Sequence, residues 1–170
     1  LSCGLLPENE LSRAAGVALS PVTNGPLVDE SLQTSLPGVF AAGNVLHVHD
    51  LVDYVSEEAE QAGKHAAAYV QGKRAAQGRE IPLKPEGAAR YTVPAAVDPQ
   101  RMEDQLVVRF RVSRNIRKGL VQVYGDDKLL YTRKRPVMAP GEMEQVVFQK
   151  AWLTGGEREI RVVAKEEEAK

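Results

Sequence analysis

The segment 34-TSLPGVFAAGN-44 decides how the N-terminal half of this chain is read. Pro37-Gly38 marks a corner, the run from Gly38 to Ala42 is small and apolar, and Gly43-Asn44 stands where a strand would end. A strand of small residues suits burial on both faces, as in a parallel sheet. Gly43 has no Cβ, so a ligand can approach its backbone, and Asn44 can hydrogen-bond a sugar-like hydroxyl. The pattern is that of a ligand site at the carboxyl end of a parallel strand, with a helix following.

That helix is predicted from Asp53 to Gln71. Val52, Val55, Ala59, Ala62, Ala66 and Val70 recur at three- and four-residue spacing and form one apolar stripe. Asp50 or Asp53 is suited to cap its start and Gly72 to end it. Its first N–H groups are free to face an electron-rich or anionic group. Upstream, Leu1–Leu6 reads as a short buried strand stopped by Pro7. Gly16–Leu19 and Leu27–Asp29 read as extended pieces joined by the Thr23-Asn24-Gly25-Pro26 turn.

Beyond Gln71 the composition changes. Residues 1–78 hold 4 Lys/Arg and 9 Asp/Glu, a net −5, and residues 79–170 hold 18 and 14, a net +4. The shift predicts two domains. Residues 73–88, with Gly78, Pro82, Pro85 and Gly87, read as the linker. After it the hydrophobic period becomes two: Leu106, Val108, Phe110 and Val112; Val121 and Val123; Leu129 and Tyr131; Val146 and Phe148; Ile160, Val162 and Ala164. About six short strands at that spacing predict a β-sandwich over 89–170.

The segment 34–44, with GPLVDESLQ before it and EEAEQAGKHAAAYV after it, resembles the second FAD-binding motif of the pyridine nucleotide-disulfide oxidoreductase superfamily. The nearest flavour is the thioredoxin-reductase-like FAD-dependent NAD(P)H oxidoreductases. The opening LSCGLLPENEL resembles the strand and loop that lead back from that family's NAD(P)H domain to its FAD domain. The resemblance covers residues 1 to about 72. It implies an α/β fragment, the C-terminal part of a Rossmann-like FAD-binding domain, ahead of the immunoglobulin- or fibronectin-like sandwich. It also implies FAD contacts from Gly43, Asn44 and Val45, and from the helix start at Tyr54, Val55 and Ser56. In the family an Asp closes the motif and hydrogen-bonds a ribityl hydroxyl. Asn44 stands there in this chain and brings a carbonyl acceptor without the charge. The stretch LHVHDLVDY between motif and helix is longer than in thioredoxin reductases.

The sequence has no Gly-x-Gly-x-x-Gly, no Cys-x-x-Cys and no NAD(P)H domain. The chain is therefore expected to be the C-terminal region of a longer oxidoreductase that uses FAD and NAD(P)H, and to be inactive alone. Its expected partners are the remainder of its own FAD and NAD(P)H domains. In that reading the sandwich also serves to dock a partner subunit or a second copy, whereas residues 1–72 alone leave apolar faces to cover. The alternative is a non-enzymatic interaction module with a vestigial flavin segment, for which Asn44 is the pointer. A single cysteine, no signal-peptide pattern and no apolar run near the ~18 residues of a membrane span lead to the expectation of a cytoplasmic protein.

Other candidates carry competing readings. Cys3 is a small buried hydrophobe or a redox thiol. His47 and His49, with Asp50, spell HVHD. They are flavin-adjacent polar groups, loop residues or two metal ligands, and without an evident third ligand no metal site is assigned. Glu57 and Glu58 read as dipole partners at a helix start rather than an acid/base pair, and His65 as surface or packing. Arg109, Arg111, Arg114, Arg117, Lys118, Arg133, Lys134 and Arg135 form a basic set, with Arg109 and Arg111 on one solvated strand face. Aromatic residues make up only 5% of the chain, and no recognition motif supports nucleic-acid binding. Trp152 reads as an anchor of the sandwich core.

Overall fold

A computed structural model of the chain describes residues 5–75 and 78–167. The fold is β-rich: among the described residues, helices α1 (Glu10–Ala14) and α2 (Val52–Val70) precede seven strands. These are β1 (Ile81–Gly87), β2 (Ala96–Val97), β3 (Gln105–Phe110), β4 (Ile116–Gly125), β5 (Lys128–Met138), β6 (Glu144–Gln149) and β7 (Ile160–Glu166). One sheet has the order β2-β1-β7-β4-β5 and the other pairs β3 with β6. All neighbours are antiparallel except β1 and β7, which run parallel with Leu83 opposite Ile160.

Period-two burial explains these strands. Ile116, Val121 and Val123 of β4 are almost fully buried, as are Ile160, Val162 and Ala164 of β7. They meet Val108 and Phe110 of β3 and Val146 and Phe148 of β6 in one core, so the two sheets pack face to face. Trp152 lies against that core, stacked on Tyr131 at 5.3 Å and edge-on to Phe148 at 5.2 Å. The β4–β5 hairpin turns at Asp126-Asp127, with Asp126 in the left-handed region at φ 50°.

Strand β1 corrects the reading of 73–88 as a linker. Its prolines suggest a break, yet each part of β1 has a ladder on one side only. Ile81 and Pro82 pair with β2, and Leu83 to Gly87 pair with β7. A proline can sit where its missing N–H faces no partner strand. The sandwich therefore begins about eight residues earlier than predicted.

The N-terminal part departs further from expectation. No strand forms among the described residues before Ile81, and the run from Gly38 to Ala42 makes one isolated bridge, Phe40 to Gln33. An extended segment becomes a sheet strand only when neighbours take its backbone groups, and here the neighbour is a tight local turn. Val39 N–H returns to the Leu36 carbonyl around Pro37 and Gly38, the latter at φ 81°. The predicted turn at Thr23–Pro26 is present, with Leu19 bridged to Pro26 and Asn24 at φ 59°. Of the predicted strand Leu1–Leu6, residues 1–4 lie outside the described residues, Cys3 with them, and Leu5 and Leu6 are not in a strand.

Helix α2 matches its predicted bounds to one residue at each end, and Gly72 follows at φ 65°. Its predicted stripe is mostly uncovered: Ala62 is buried, but Val52 and Val70 are 75% and 84% exposed. The cap is Leu51, which makes no side-chain cap bond, rather than Asp50 or Asp53. No helix among the described residues is long and apolar enough to cross a membrane.

A second, smaller core joins the two parts of the chain. Val28, Leu32, Ala41, Leu46 and Ala62 pack with Tyr91 and Val93 from the segment that leads into the sandwich. That segment also lies along β3, with bridges from Ala89 to Val112 and Val93 to Arg109. It binds the N-terminal part as well, through Ala95 N–H on the Val28 carbonyl at 2.9 Å.

Candidate functional site

The residues that follow Ala42 turn sharply. Gly43–Val45 is a single 3₁₀ turn that starts from Gly43 at φ 71°, a conformation that favours glycine. Leu46 is then fully buried and anchors the loop, while Asn9 donates to the Val45 carbonyl at 2.7 Å. Asn44 is exposed, and its Oδ1 accepts the His49 N–H at 3.1 Å. This bond helps hold the HVHD stretch in a loop.

The loop drives His47 and His49 inward beneath α2. Their rings meet edge to face at 4.3 Å, and both residues are buried. Glu58, the other buried residue of α2, comes down between them. Its Oε1 lies 2.8 Å from His47 Nε2 and 3.0 Å from His49 Nε2, and its Oε2 accepts the Gly43 N–H at 3.0 Å. His47 Nδ1 faces the Tyr91 hydroxyl at 3.4 Å. Neither ring nitrogen of His49 has a hydrogen-bond partner among the described residues, so its 3.0 Å approach to Glu58 lacks hydrogen-bond direction.

Charge in this cluster follows from burial and neighbours. Burial pushes the Glu58 carboxyl up, but the two imidazoles beside it outweigh that and bring it down to about 2. Burial outweighs the pull of Glu58 on His47 and lowers that imidazole, which is therefore neutral at pH 7. The Tyr91 hydroxyl is pushed up to about 12 by burial and stays protonated.

The sandwich closes the cluster from the other side. Arg109 of β3 is 4% exposed, which corrects its placement on a solvated face. It donates to Glu57 Oε2 at 2.5 Å, lies 3.4 Å from Glu58 Oε1 and stacks over the Tyr54 ring at 5.0 Å. Arg111 donates to the Val48 carbonyl at 3.0 Å and to Asp50 at 3.1 Å, and Asp50 also accepts the Met143 N–H at 3.0 Å. Strand alternation does put both arginines on one face, but α2 and the HVHD loop cover it. Between α2, β3 and residues 93–107 lies a cavity of about 360 Å³, lined by Glu57, Glu58, Arg101, Met102 and Arg109 among others.

The six residues expected to meet FAD are placed differently from one another. Gly43, Val45 and Val55 turn inward: a Cβ on Gly43 would meet Val55 Cγ1 at 3.1 Å, and the Gly43 N–H is taken by Glu58. The glycine therefore serves its own backbone and the helix contact, which corrects the expected open approach. Tyr54 is half-buried under Arg109, and the Ser56 hydroxyl returns to the Val52 carbonyl at 3.2 Å. Asn44 and the uncapped start of α2 face outward. Sequence reasoning missed Glu58 and Arg109 as site residues. The signal for Glu58 was its spacing, three after Val55 and four before Ala62, on the inner side of the helix.

No family model matches the chain, and neither a curated protein nor a solved structure matches it.

Proposed function

We propose that this chain is the C-terminal region of an FAD-dependent NAD(P)H oxidoreductase, with a Rossmann-like FAD-binding part completed by other segments and an immunoglobulin-like sandwich packed against it. The observation that carries the reading is an exposed Asn44 together with a helix start that no side chain caps. Asn44 Nδ2 makes no hydrogen bond among the described residues and is a donor for a ribityl hydroxyl. The free N–H groups at Val52–Tyr54 offer partial positive charge to the anionic edge of a reduced ring.

The distribution of uncovered apolar surface supports the same reading. Among the described residues, ten of the thirteen exposed large hydrophobics lie from Leu5 to Val70, including Leu6, Leu11, Leu51 and Val52. The remainder of an FAD domain would cover such a face. When bound, FAD would supply hydride acceptance from NAD(P)H and electron delivery to an acceptor. This chain's own share is to bind and orient, through Asn44 and the helix start.

The test uses the polypeptide that carries this chain together with its FAD and NAD(P)H domains. A yellow protein whose flavin absorbance bleaches on anaerobic addition of NADH or NADPH is expected. A colourless protein that cannot be reconstituted with FAD overturns the oxidoreductase reading in favour of an interaction module.

A further inference from the structure

We propose that His47, His49 and Glu58 bind one divalent transition-metal ion. The site is independent of the flavin reading, because none of its three side chains is needed to hold FAD.

One ligand atom from each residue lies within 4.8 Å of the others, and all three residues are buried. The spacing suits coordination. Ligands about 2.1 Å from an ion stand roughly 3 Å apart along an octahedral edge and roughly 3.4 Å apart in a tetrahedron. The two imidazole nitrogens lie 2.8 and 3.0 Å from one carboxylate oxygen.

A plain hydrogen-bond network explains His47 and leaves His49 unexplained. His47 has a well-placed acceptor on one nitrogen and Tyr91 on the other. Among the described residues His49 has only the poorly directed 3.0 Å contact with Glu58 on one nitrogen and no partner on the other, although both are shielded from solvent. A buried imidazole in that condition is rare, and a metal ion gives one of its nitrogens a partner. The outer contacts match those of metal-binding side chains. The far nitrogen of His47 meets Tyr91, and the far oxygen of Glu58 is fixed by the Gly43 N–H.

Charge also permits an ion. Arg109 stands 3.4 Å from Glu58 Oε1, but its charge is matched by Glu57 at 2.5 Å. Imidazoles bind a metal in their neutral form, so with both as ligands the two carboxylates and one guanidinium leave a net −1 to meet the cation. Two nitrogens and one oxygen favour zinc, iron(II) or cobalt(II) over calcium or magnesium. Three protein ligands leave coordination positions open, and Glu58 borders the 360 Å³ cavity from which water or an anionic ligand would fill them.

The experiment takes the full chain, stripped with EDTA, and titrates it with Co²⁺ followed by visible absorption and with Zn²⁺ followed by calorimetry. One equivalent is expected to bind. His49→Ala should weaken binding by at least about a hundredfold, with an unchanged circular dichroism spectrum in EDTA. His65→Ala removes an imidazole elsewhere on α2 and should bind as the parent does. X-ray absorption of the zinc-loaded parent chain, which needs no variant, should show two imidazoles. The proposal is overturned by no uptake of either ion, by equal uptake in His49→Ala, by loss of uptake in His65→Ala, or by fewer than two imidazoles on zinc.

Discussion

Arg109 on β3 donates to Glu57 on α2 at 2.5 Å, and this bond ties the sandwich to the long helix. The two ends of the pair differ in their surroundings: the Arg109 side chain is 5% exposed and that of Glu57 is 60%. Arg109→Met should lower unfolding free energy by about 3 kcal/mol, because it leaves the buried Glu58 with one cation fewer. Glu57→Gln should cost less than about 1 kcal/mol, as an exposed partner does. Urea titrations of the two variants check the inequality.

Gly25 and Gly16 give a paired test of crowding against backbone strain. A Cβ on Gly25 would sit 1.8 Å from the Leu46 carbonyl oxygen, inside a buried turn. Gly16 has φ 82° with nothing within 4 Å of an added Cβ. Gly16→Ala should cost only the left-handed penalty of about 1 kcal/mol. Gly25→Ala should cost about 3 kcal/mol or more, because backbone has to move. Thermal unfolding should rank Gly25→Ala as the less stable.

Glu30 should make stability fall with rising pH. Its carboxyl is raised above 4.5, first by burial and then by Asp29, against the pull of the Asp98 N–H and Arg101. The folded state then holds this proton more tightly than the unfolded chain does. Stability is therefore lost as pH climbs from 4.5 through the raised folded value. Glu30→Gln cannot ionise and should flatten that part of the profile, read as urea midpoints across the acidic range.

Asn44→Ala bears on the flavin proposal. It removes the outward Nδ2 donor and the acceptor of the His49 N–H. In the intact polypeptide the FAD dissociation constant should rise about three- to tenfold, the worth of one hydrogen bond. Flavin fluorescence during FAD titration measures it, and an unchanged constant would remove Asn44 from the site.

Local pattern made some of this legible in the sequence. The spacing from Val52 to Val70 located α2, and alternation located β3 to β7. Strand β1 was hidden because Pro82, Lys84, Pro85 and Glu86 look like a linker unless it is known that each proline faces a side without a ladder. The site was half legible. His47 and His49 are only two positions apart in sequence, but Glu58 lies eleven residues beyond His47 and Arg109 fifty-one beyond Glu58. Periodicity can say that Arg109 and Arg111 share a face, but it cannot say that the HVHD loop covers that face.

Strand β7 sits between β1 and β4, and without it the larger sheet has no centre. A ribosome that has delivered the polypeptide only as far as β6 therefore holds a nascent chain with two open sheet edges. Ile160, Val162 and Ala164 are also missing from its core at that stage. Such edges pair readily with other chains. A chain cut off before residue 160 should be aggregation-prone and depend on chaperones, whereas emergence of the seven residues of β7 lets the sheet close.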